Sequence, residues 1–338
     1  MATYRGIRGV TIPTVDGDLG TIQLGDIWYD SSAKAIKVAG TTAGSWATGG
    51  NMPFGYSTNS AFGLQTAAVV CFGDSPGQPT TGASSAEYDG SSWTAGNTAN
   101  TARASACACG TQTAGLGIGG YAPTGVPTKV TDVVEQYDGT NWTEVGDLNT
   151  GRGYLAAAQS GTTTAALVFG GLINPELNPS PFGAVGAKAE SEEYDGSSWT
   201  EGNDLNQGRR DFEGAGTQTA ALAIGGDNFP GAFAGVESYD GSSWTEGTDL
   251  NATHYRNMSG GRQTSAFTTG GFPLSVNCET WDGTSWTEVA NMSVGRHEGG
   301  GCGTYAAGLV AGGVHPAADV HTEEWTGDYA SAATVTSS

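Results

Sequence analysis

Short apolar runs alternate with glycine and polar turn residues along almost the whole chain. Five of the runs end in a glycine pair, at Gly119-Gly120, Gly170-Gly171, Gly225-Gly226, Gly270-Gly271 and Gly312-Gly313. After each run, Glu and an aromatic residue stand two positions apart, as in Glu135 and Tyr137, and side chains at this spacing share one face of a strand. No long stretch of helix-forming residues has a 3.6-residue period. The pattern predicts an all-β chain with essentially no helix.

A second landmark, Asp-Gly followed three residues later by Trp, alternates with the glycine pairs in constant order. Its Trp residues, Trp93, Trp142, Trp199, Trp244 and Trp286, are 42 to 57 residues apart, and Trp46 precedes them. Asp-Gly favours a tight hairpin turn, so each unit is predicted to contain four short strands. Such units are typical of β-propeller blades. A feature that every unit repeats is a packing requirement, and we expect the six Trp side chains to fill the space between neighbouring sheets.

Gly-Gly, then Tyr-Asp, then Trp, in this order and at this period, resembles kelch repeats over roughly residues 45–329. The resemblance implies a β-propeller closed by pairing of the N- and C-terminal strands, over residues 20–338. We expect seven blades of four antiparallel strands. Asp26–Asp30, Ala35–Val38 and Ser45-Trp46 would supply three strands of one blade, and Ala333–Thr336 its first strand. Six blades are the alternative, in which Trp46 completes the last unit.

Arg103, Arg152, Arg209 and Arg296 occupy one repeat position, which His254 takes in another unit. These arginines could surround the propeller axis and hold an anionic sugar. The favoured interpretation is an ion pair with the Glu that recurs in the third strand, because a paired charge can be buried and would fix the geometry of each blade.

Composition narrows the functional classes. The chain of 338 residues has 34 Asp and Glu against 13 Lys and Arg, a net charge of -21, which opposes binding to nucleic acid or to anionic membranes. Neither a signal-peptide core nor a membrane-spanning apolar stretch is evident. The cysteines, Cys71, Cys107, Cys109, Cys278 and Cys302, lack CxxC spacing and are predicted to be free and buried. His315 and His321 flank Asp319, a spacing too weak to predict a metal site, and we expect no cofactor and no catalytic set.

The segments between each glycine pair and the next Glu-x-Tyr strand differ from unit to unit and hold ten of the twelve prolines. In a propeller these loops share one face, so we expect any partner to bind there, chiefly at 172–189 and 227–236. The aromatic residues expected to make these contacts are Tyr121, Phe182, Phe229, Phe233 and Phe272.

The N-terminal block, Thr3–Gly9 with Gly25–Asp30 and Lys34–Val38, resembles the start of virion proteins of marine tailed bacteriophages. The resemblance implies a structural virion protein, made in the host cytoplasm without a signal peptide. It would display its propeller outside the particle as a fibre or adhesin for host attachment, or as a capsid decoration. Residues 1–19 would attach it to other virion proteins, in multiple copies, and a host glycan or protein would be the outer partner. The alternatives are an intracellular kelch interaction module and a secreted lectin or enzyme of the galactose-oxidase-like propeller type.

Overall fold

The computed structural model describes residues 12–17, 19–23, 25–74, 82–122, 130–173, 187–228, 231–316 and 319–334. Throughout these ranges the regular structure consists of β-strands, without a helix, which confirms the all-β prediction. Accordingly, no described segment is a helix long and apolar enough to cross a bilayer. The strands form seven four-stranded sheets, the number of sheets that the sequence predicts.

Contacts between residues divide the chain into two compact units, residues 1–45 with 327–338 and residues 46–326. The larger unit contains six of the sheets, here called blades 1 to 6. Blade 1 contains β5 Ser60–Leu64, β6 Ala67–Cys71, β7 Ser85–Tyr88 and β8 Trp93–Ala95, and blade 2 contains β9 Cys107–Thr111, β10 Ala114–Ile118, β11 Val134–Tyr137 and β12 Trp142–Glu144. Blade 3 contains β13 Ala156–Ala157, β14 Ala166–Phe169, β15 Ser191–Tyr194 and β16 Trp199–Glu201, and blade 4 contains β17 Glu213–Thr217, β18 Ala220–Ile224, β19 Val236–Tyr239 and β20 Trp244–Glu246. Blade 5 contains β21 Met258–Arg262, β22 Ser265–Thr269, β23 Cys278–Trp281 and β24 Trp286–Glu288, and blade 6 contains β25 Gly300–Thr304, β26 Ala307–Ala311, β27 Thr322–Thr326 and β4 Ser45–Thr48.

The six blades form a closed ring, which is a β-propeller. The first strand of each blade contacts the first strand of the next, from β5 through β9, β13, β17 and β21 to β25, and β25 contacts β5. Blade 6 is completed by β4, which lies beside β27 and bears Trp46. This strand therefore has the place that the six-blade alternative assigned to it, and its pairing joins the beginning of the repeat region to the end.

The seventh sheet belongs to the smaller unit and consists of β1 Thr14–Val15, β2 Ile27–Asp30, β3 Ala35–Thr42 and β28 Tyr329–Thr334 in the order β1-β2-β3-β28. Its assembly differs from the predicted one. The C-terminal strand pairs with β3 and not with β2, because one edge of β2 is taken by its hairpin partner β3 and the other by β1, which runs parallel to it. The boundary at residue 19 also differs, since β1 lies within the segment predicted to precede the sheets.

Two ends of the propeller follow from the antiparallel order of the strands. Each first strand begins where the second strand ends, so the loops between second and third strands lie at the same end as the starts of the first strands. We call this the ring end. The hairpins between first and second strands and the Asp-Gly turns lie at the opposite end, the turn end.

Candidate functional site

In four blades, a buried ion pair joins the segment before the first strand to the third strand. The pairs are Arg103 with Glu135 at 2.6 Å, Arg152 with Glu192 at 2.7 Å, Arg209 with Glu237 at 2.6 Å and Arg296 with Glu323 at 3.1 Å, and every side chain is at most 2% exposed. Burial lowers the pKa of Arg103 and of Arg209, and the partner carboxylates oppose this effect. The ion-pair interpretation is confirmed, and these arginines are engaged within the blades.

The two remaining blades show that the two positions change together. In blade 5, His254 Nε2 lies 3.3 Å from the Glu279 carboxylate. In blade 1, Tyr56 stands at the Arg position and Ala86 at the Glu position, and both are buried. The recurrent Glu thus occurs only in blades where a basic residue faces it, as expected for a charge that is stable in the interior only when paired.

Aromatic packing joins successive blades. Trp199 and Trp244 pair in register with Tyr194 and Tyr239, with ring centroids 4.9 Å apart in both cases. Trp244 also packs on Phe169 of the preceding blade, at 4.7 Å. The Tyr239 hydroxyl donates to Glu193 of that blade at 2.5 Å. These contacts place the repeated aromatic residues in the interfaces between sheets.

The Asp-Gly turns at the turn end repeat one local hydrogen-bond pattern. Asp89 Oδ1 accepts the backbone N–H groups of Ser91 and Ser92, each at 2.8 Å, and Gly90 has φ of +91°, which glycine adopts without steric cost. Hydrogen bonds lower the pKa of Asp89 to about 2, and the largest contribution comes from the Ser92 backbone N–H. The carboxylate is therefore a turn element.

At the ring end, the residue two positions before the first strand of each blade has the left-handed backbone conformation. These residues are Thr58, Ser105, Tyr154, Asp211, Arg256 and Glu298, with φ between +49° and +59°. Ser105 N donates to Thr58 O, Tyr154 N to Ser105 O, Asp211 N to Tyr154 O, Arg256 N to Asp211 O and Glu298 N to Arg256 O, at 2.6 to 3.1 Å. This conformation costs about 1–2 kcal/mol per residue, and strained backbone of this kind occurs preferentially at functional sites. We call the six residues the axial ring.

Charge is unevenly distributed around the axial ring. Arg256 Nη1 lies 2.5 Å from Glu298 and its Nε 3.7 Å from Asp211. Burial raises the pKa of Asp211 and of Glu298, and Arg256 opposes the shift in both. Burial also raises the pKa of Tyr154 to about 12. The ring therefore combines two carboxylates, one guanidinium and three neutral hydroxyl groups.

A cavity of about 60 Å³ opens through the axial ring, and Asn59, Asn257 and Glu213 form part of its wall. A smaller space of about 20 Å³ continues along the axis and is lined by Glu213 and Gln159. Gln159 Nε2 donates to Glu213 Oε2 at 3.2 Å and to Gly301 O, across the axis, at 2.9 Å. Burial raises the pKa of Glu213 to about 8. Gln159 thus closes the floor of an axial cavity with a carboxyl group in its wall.

The turn end of the axis has a wider cavity of about 280 Å³ on the other side of Gln159. Its wall contains four glycines with φ between +104° and +122°, Gly63, Gly110, Gly261 and Gly303, together with Thr111, Thr162 and Arg262. The residues that follow these glycines, Leu64, Thr111, Arg262 and Thr304, also line the cavity.

Three of the five residues predicted to contact a partner fall within the described ranges. Phe272 is 48% exposed and packs against Tyr255 and His297, with centroids 5.4 Å away in each case; these neighbours precede Arg256 and Glu298 of the axial ring. The Phe233 ring lies 5.0 Å from the Arg209 guanidinium. Tyr121, the third, is half-buried and bridges to Ala104, beside Ser105. Phe182 and Phe229 lie outside the described residues.

The sequence analysis did not single out the axial ring. Each ring residue stands two positions after the Arg position of its unit and differs chemically from one unit to the next, from Ser105 to Tyr154 to Asp211. A position that varies within an otherwise repeated framework is the signal that would have identified it. The sequence predicted the contact surface in the loops instead, because the loops differ between units in length as well as in residue type.

The cysteines and histidines play no part in the cavity walls described above apart from Cys107, which lines the smaller space. All five cysteines are free and buried, and burial raises the pKa of Cys109 to about 12. His321 contacts Asp319, and His315 Nδ1 is hydrogen-bonded to Gly295 O at 2.9 Å. Within the described residues no group of three or more His, Cys, Asp or Glu side chains is arranged to hold a metal ion.

Comparison with known proteins supports the fold. No protein-family model matches the chain, and no curated protein matches it in sequence. A solved structure titled "Structure of YjhT", which has a kelch-like propeller fold, superposes with a TM-score of 0.64 at 13% identity, over 84% of this chain and 99% of that chain. The chain is therefore similar to a known propeller in its backbone arrangement.

Proposed function

We propose that the chain is a structural bacteriophage virion protein that displays its propeller on the particle exterior. It would serve as a fibre or adhesin that contacts the host surface, or as a capsid decoration. In this proposal it is a binding protein and not an enzyme, and it requires no cofactor.

The proposal rests on the N-terminal block that resembles phage virion proteins. Gly25–Asp30 and Lys34–Val38 contribute to the hairpin of β2 and β3, with Tyr29 opposite Ile36. This hairpin belongs to the smaller unit, and the six blades belong to the larger one. A small module with its own sheet and a separately closed propeller suit a division between attachment and display.

The ring end is the proposed contact surface. It brings the variable loops to the same end as the axial ring, as the bridges Ala104 with Tyr121 and Arg210 with Asp227 illustrate. At the turn end, the same Asp-Gly turn recurs in five of the six blades. Chemical variety at one end and repetition at the other are what a specific binding surface requires.

Mass spectrometry of purified particles tests the virion assignment. We expect the full chain in the particles and a chain lacking residues 1–19 to fold but to be absent from them. The control variant, Asp211→Asn, changes the propeller and leaves the N-terminal block intact. We expect the particles to contain this variant at the normal copy number. Normal incorporation of the truncated chain would exclude the attachment role.

One observation favours the secreted-lectin alternative. The axial cavity is a concave site with a few convergent polar groups, among them Glu213, Asn59 and Asn257, and small-ligand sites share this feature. Absence of the full chain from particles, together with glycan binding by the purified protein, would establish this alternative instead.

A further inference from the structure

Two residues in the wall of the axial cavity carry buried amide oxygens that have no donor among the described residues. Asn59 and Asn257 are 6% and 2% exposed, and neither Oδ1 atom has a hydrogen-bond partner among the described residues. Their amide nitrogens are engaged, Asn59 Nδ2 with Ala311 O at 3.2 Å and Asn257 Nδ2 with Thr268 Oγ1 at 2.8 Å, which orients the two oxygens. A buried acceptor without a donor costs about 1–3 kcal/mol, so a ligand donor that reached either oxygen would recover that energy.

The charges around these acceptors favour a cation. Asp211 and Glu298 contribute two carboxylates to the axial ring, and Arg256 contributes the one guanidinium. Arg256 already contacts both carboxylates, so an anionic ligand would have to displace them. A positively charged donor meets a surplus of carboxylate and amide oxygens instead.

A small cation with several hydrogen-bond donors is the class of ligand that suits this cavity. A primary ammonium group has three N–H donors and is small enough for a cavity of about 60 Å³. Bare metal ions fit less well, since the described acidic side chains form no group suited to ligating one. Thr58, Ser105 and Tyr154 line the same cavity, and the exposed Phe272 beside His297 offers an apolar ring face.

We propose that the axial cavity binds the ammonium group of an amino sugar, with the sugar ring held at the mouth by the hydroxyl groups of the axial ring and by Phe272. The proposal rests on the proposed function only in taking the ring end as the contact surface. It identifies the outer partner as a glycan that bears free amines.

Calorimetric titration of the purified full chain at pH 6.5 and low salt tests this, with glucosamine as the probe and glucose and N-acetylglucosamine as neutral controls. We expect glucosamine to bind at least tenfold more tightly than either control, and methylammonium, the minimal probe, to compete with it. Asp211→Asn and Glu298→Gln should each weaken glucosamine binding by tenfold or more. Glu201→Gln, the same loss of charge on an exposed outer strand, should leave it unchanged.

Thermal unfolding of each variant separates lost binding from lost structure. If Asp211→Asn does not fold, Glu298→Gln decides the question, and glucosamine protection of the wild-type chain decides it without any variant. Equal binding of N-acetylglucosamine, or no binding of glucosamine to the folded chain, would overturn the proposal. Binding of a lysine peptide without glucosamine would overturn the sugar assignment in favour of a protein partner. None of these measurements uses particles, so their failure is distinct from failure of the virion assignment.

Discussion

Removal of the Glu237 carboxylate provides the most direct test of the buried ion pairs. Arg209 and Glu237 are each 1% exposed, with Nη2 and Oε1 2.6 Å apart. In Glu237→Ala the guanidinium keeps its hydrogen bonds to Gly225 O and Gly235 O, at 3.0 and 2.8 Å, but it loses the only full negative charge that it contacts in the described residues. Because a guanidinium cannot lose its proton, we expect a loss of about 3–5 kcal/mol of unfolding free energy.

Blade 5 contains the matched control. Glu279 accepts hydrogen bonds from Asn251 N and Asn251 Nδ2, both at 2.8 Å, as Glu237 does from Asn206 N and Asn206 Nδ2, at 2.7 and 2.9 Å. Its basic partner is His254, and an imidazole, unlike a guanidinium, has a neutral form. Glu279→Ala should therefore cost only the hydrogen bonds to the carboxylate, about 1.5–3 kcal/mol.

Urea unfolding at pH 8, followed by tryptophan fluorescence and circular dichroism, measures both losses. Equal losses in Glu237→Ala and Glu279→Ala would show that the loop hydrogen bonds, and not the unpaired cation, determine the cost. The double variant Arg209→Met/Glu237→Leu removes both charges and should be more stable than Glu237→Ala alone. If it is not, the electrostatic reasoning is refuted.

Three further predictions concern the blade interface, the axis and the turns. Trp244→Ala should destabilise the propeller by about 3–5 kcal/mol, measured by urea unfolding, because the 6% exposed ring packs between two blades; a stable variant impaired only in binding would contradict this. Burial raises the pKa of Glu213 from 4.5 to about 8, so the neutral carboxyl group is favoured in the folded chain. Its contribution to the free energy of unfolding is complete below pH 4.5 and is lost as the pH rises through 8. At about 1.4 kcal/mol per unit of pKa shift, the contribution of Glu213 is a few kcal/mol. Glu213→Gln should therefore flatten the dependence of stability on pH between 5 and 8. An unchanged slope in this variant would show that Glu213 does not cause the dependence. Gly241→Ala, at φ of +92°, should cost about 1 kcal/mol, whereas Gly231→Ala, where a Cβ meets nothing within 4 Å, should be neutral in the same urea-unfolding assay.

Local sequence determined the strands, the turns and the pairing within blades. Asp-Gly fixes the turn through the Asp side chain and the glycine conformation, and alternation places Glu135 and Tyr137 on one face of β11. The Arg103–Glu135 pair was also predictable, because an Arg repeated before each first strand can neutralise a Glu repeated in each buried third strand. These features depend on neighbours within one repeat unit, which is why they can be derived from a single chain.

Only the tertiary structure decided which strands share the seventh sheet and where the six ring residues meet. Pairing of the C-terminal strand with β3 depends on which strand edges are left free once β1 and the hairpin have formed, and no local pattern records that competition. Thr58 and Glu298 are 240 positions apart in the sequence, yet both line one cavity, because closure of the propeller brings the starts of all six first strands to the axis. A site assembled from one residue per repeat unit has no sequence motif of its own, since its geometry arises from ring closure and not from the spacing of its residues.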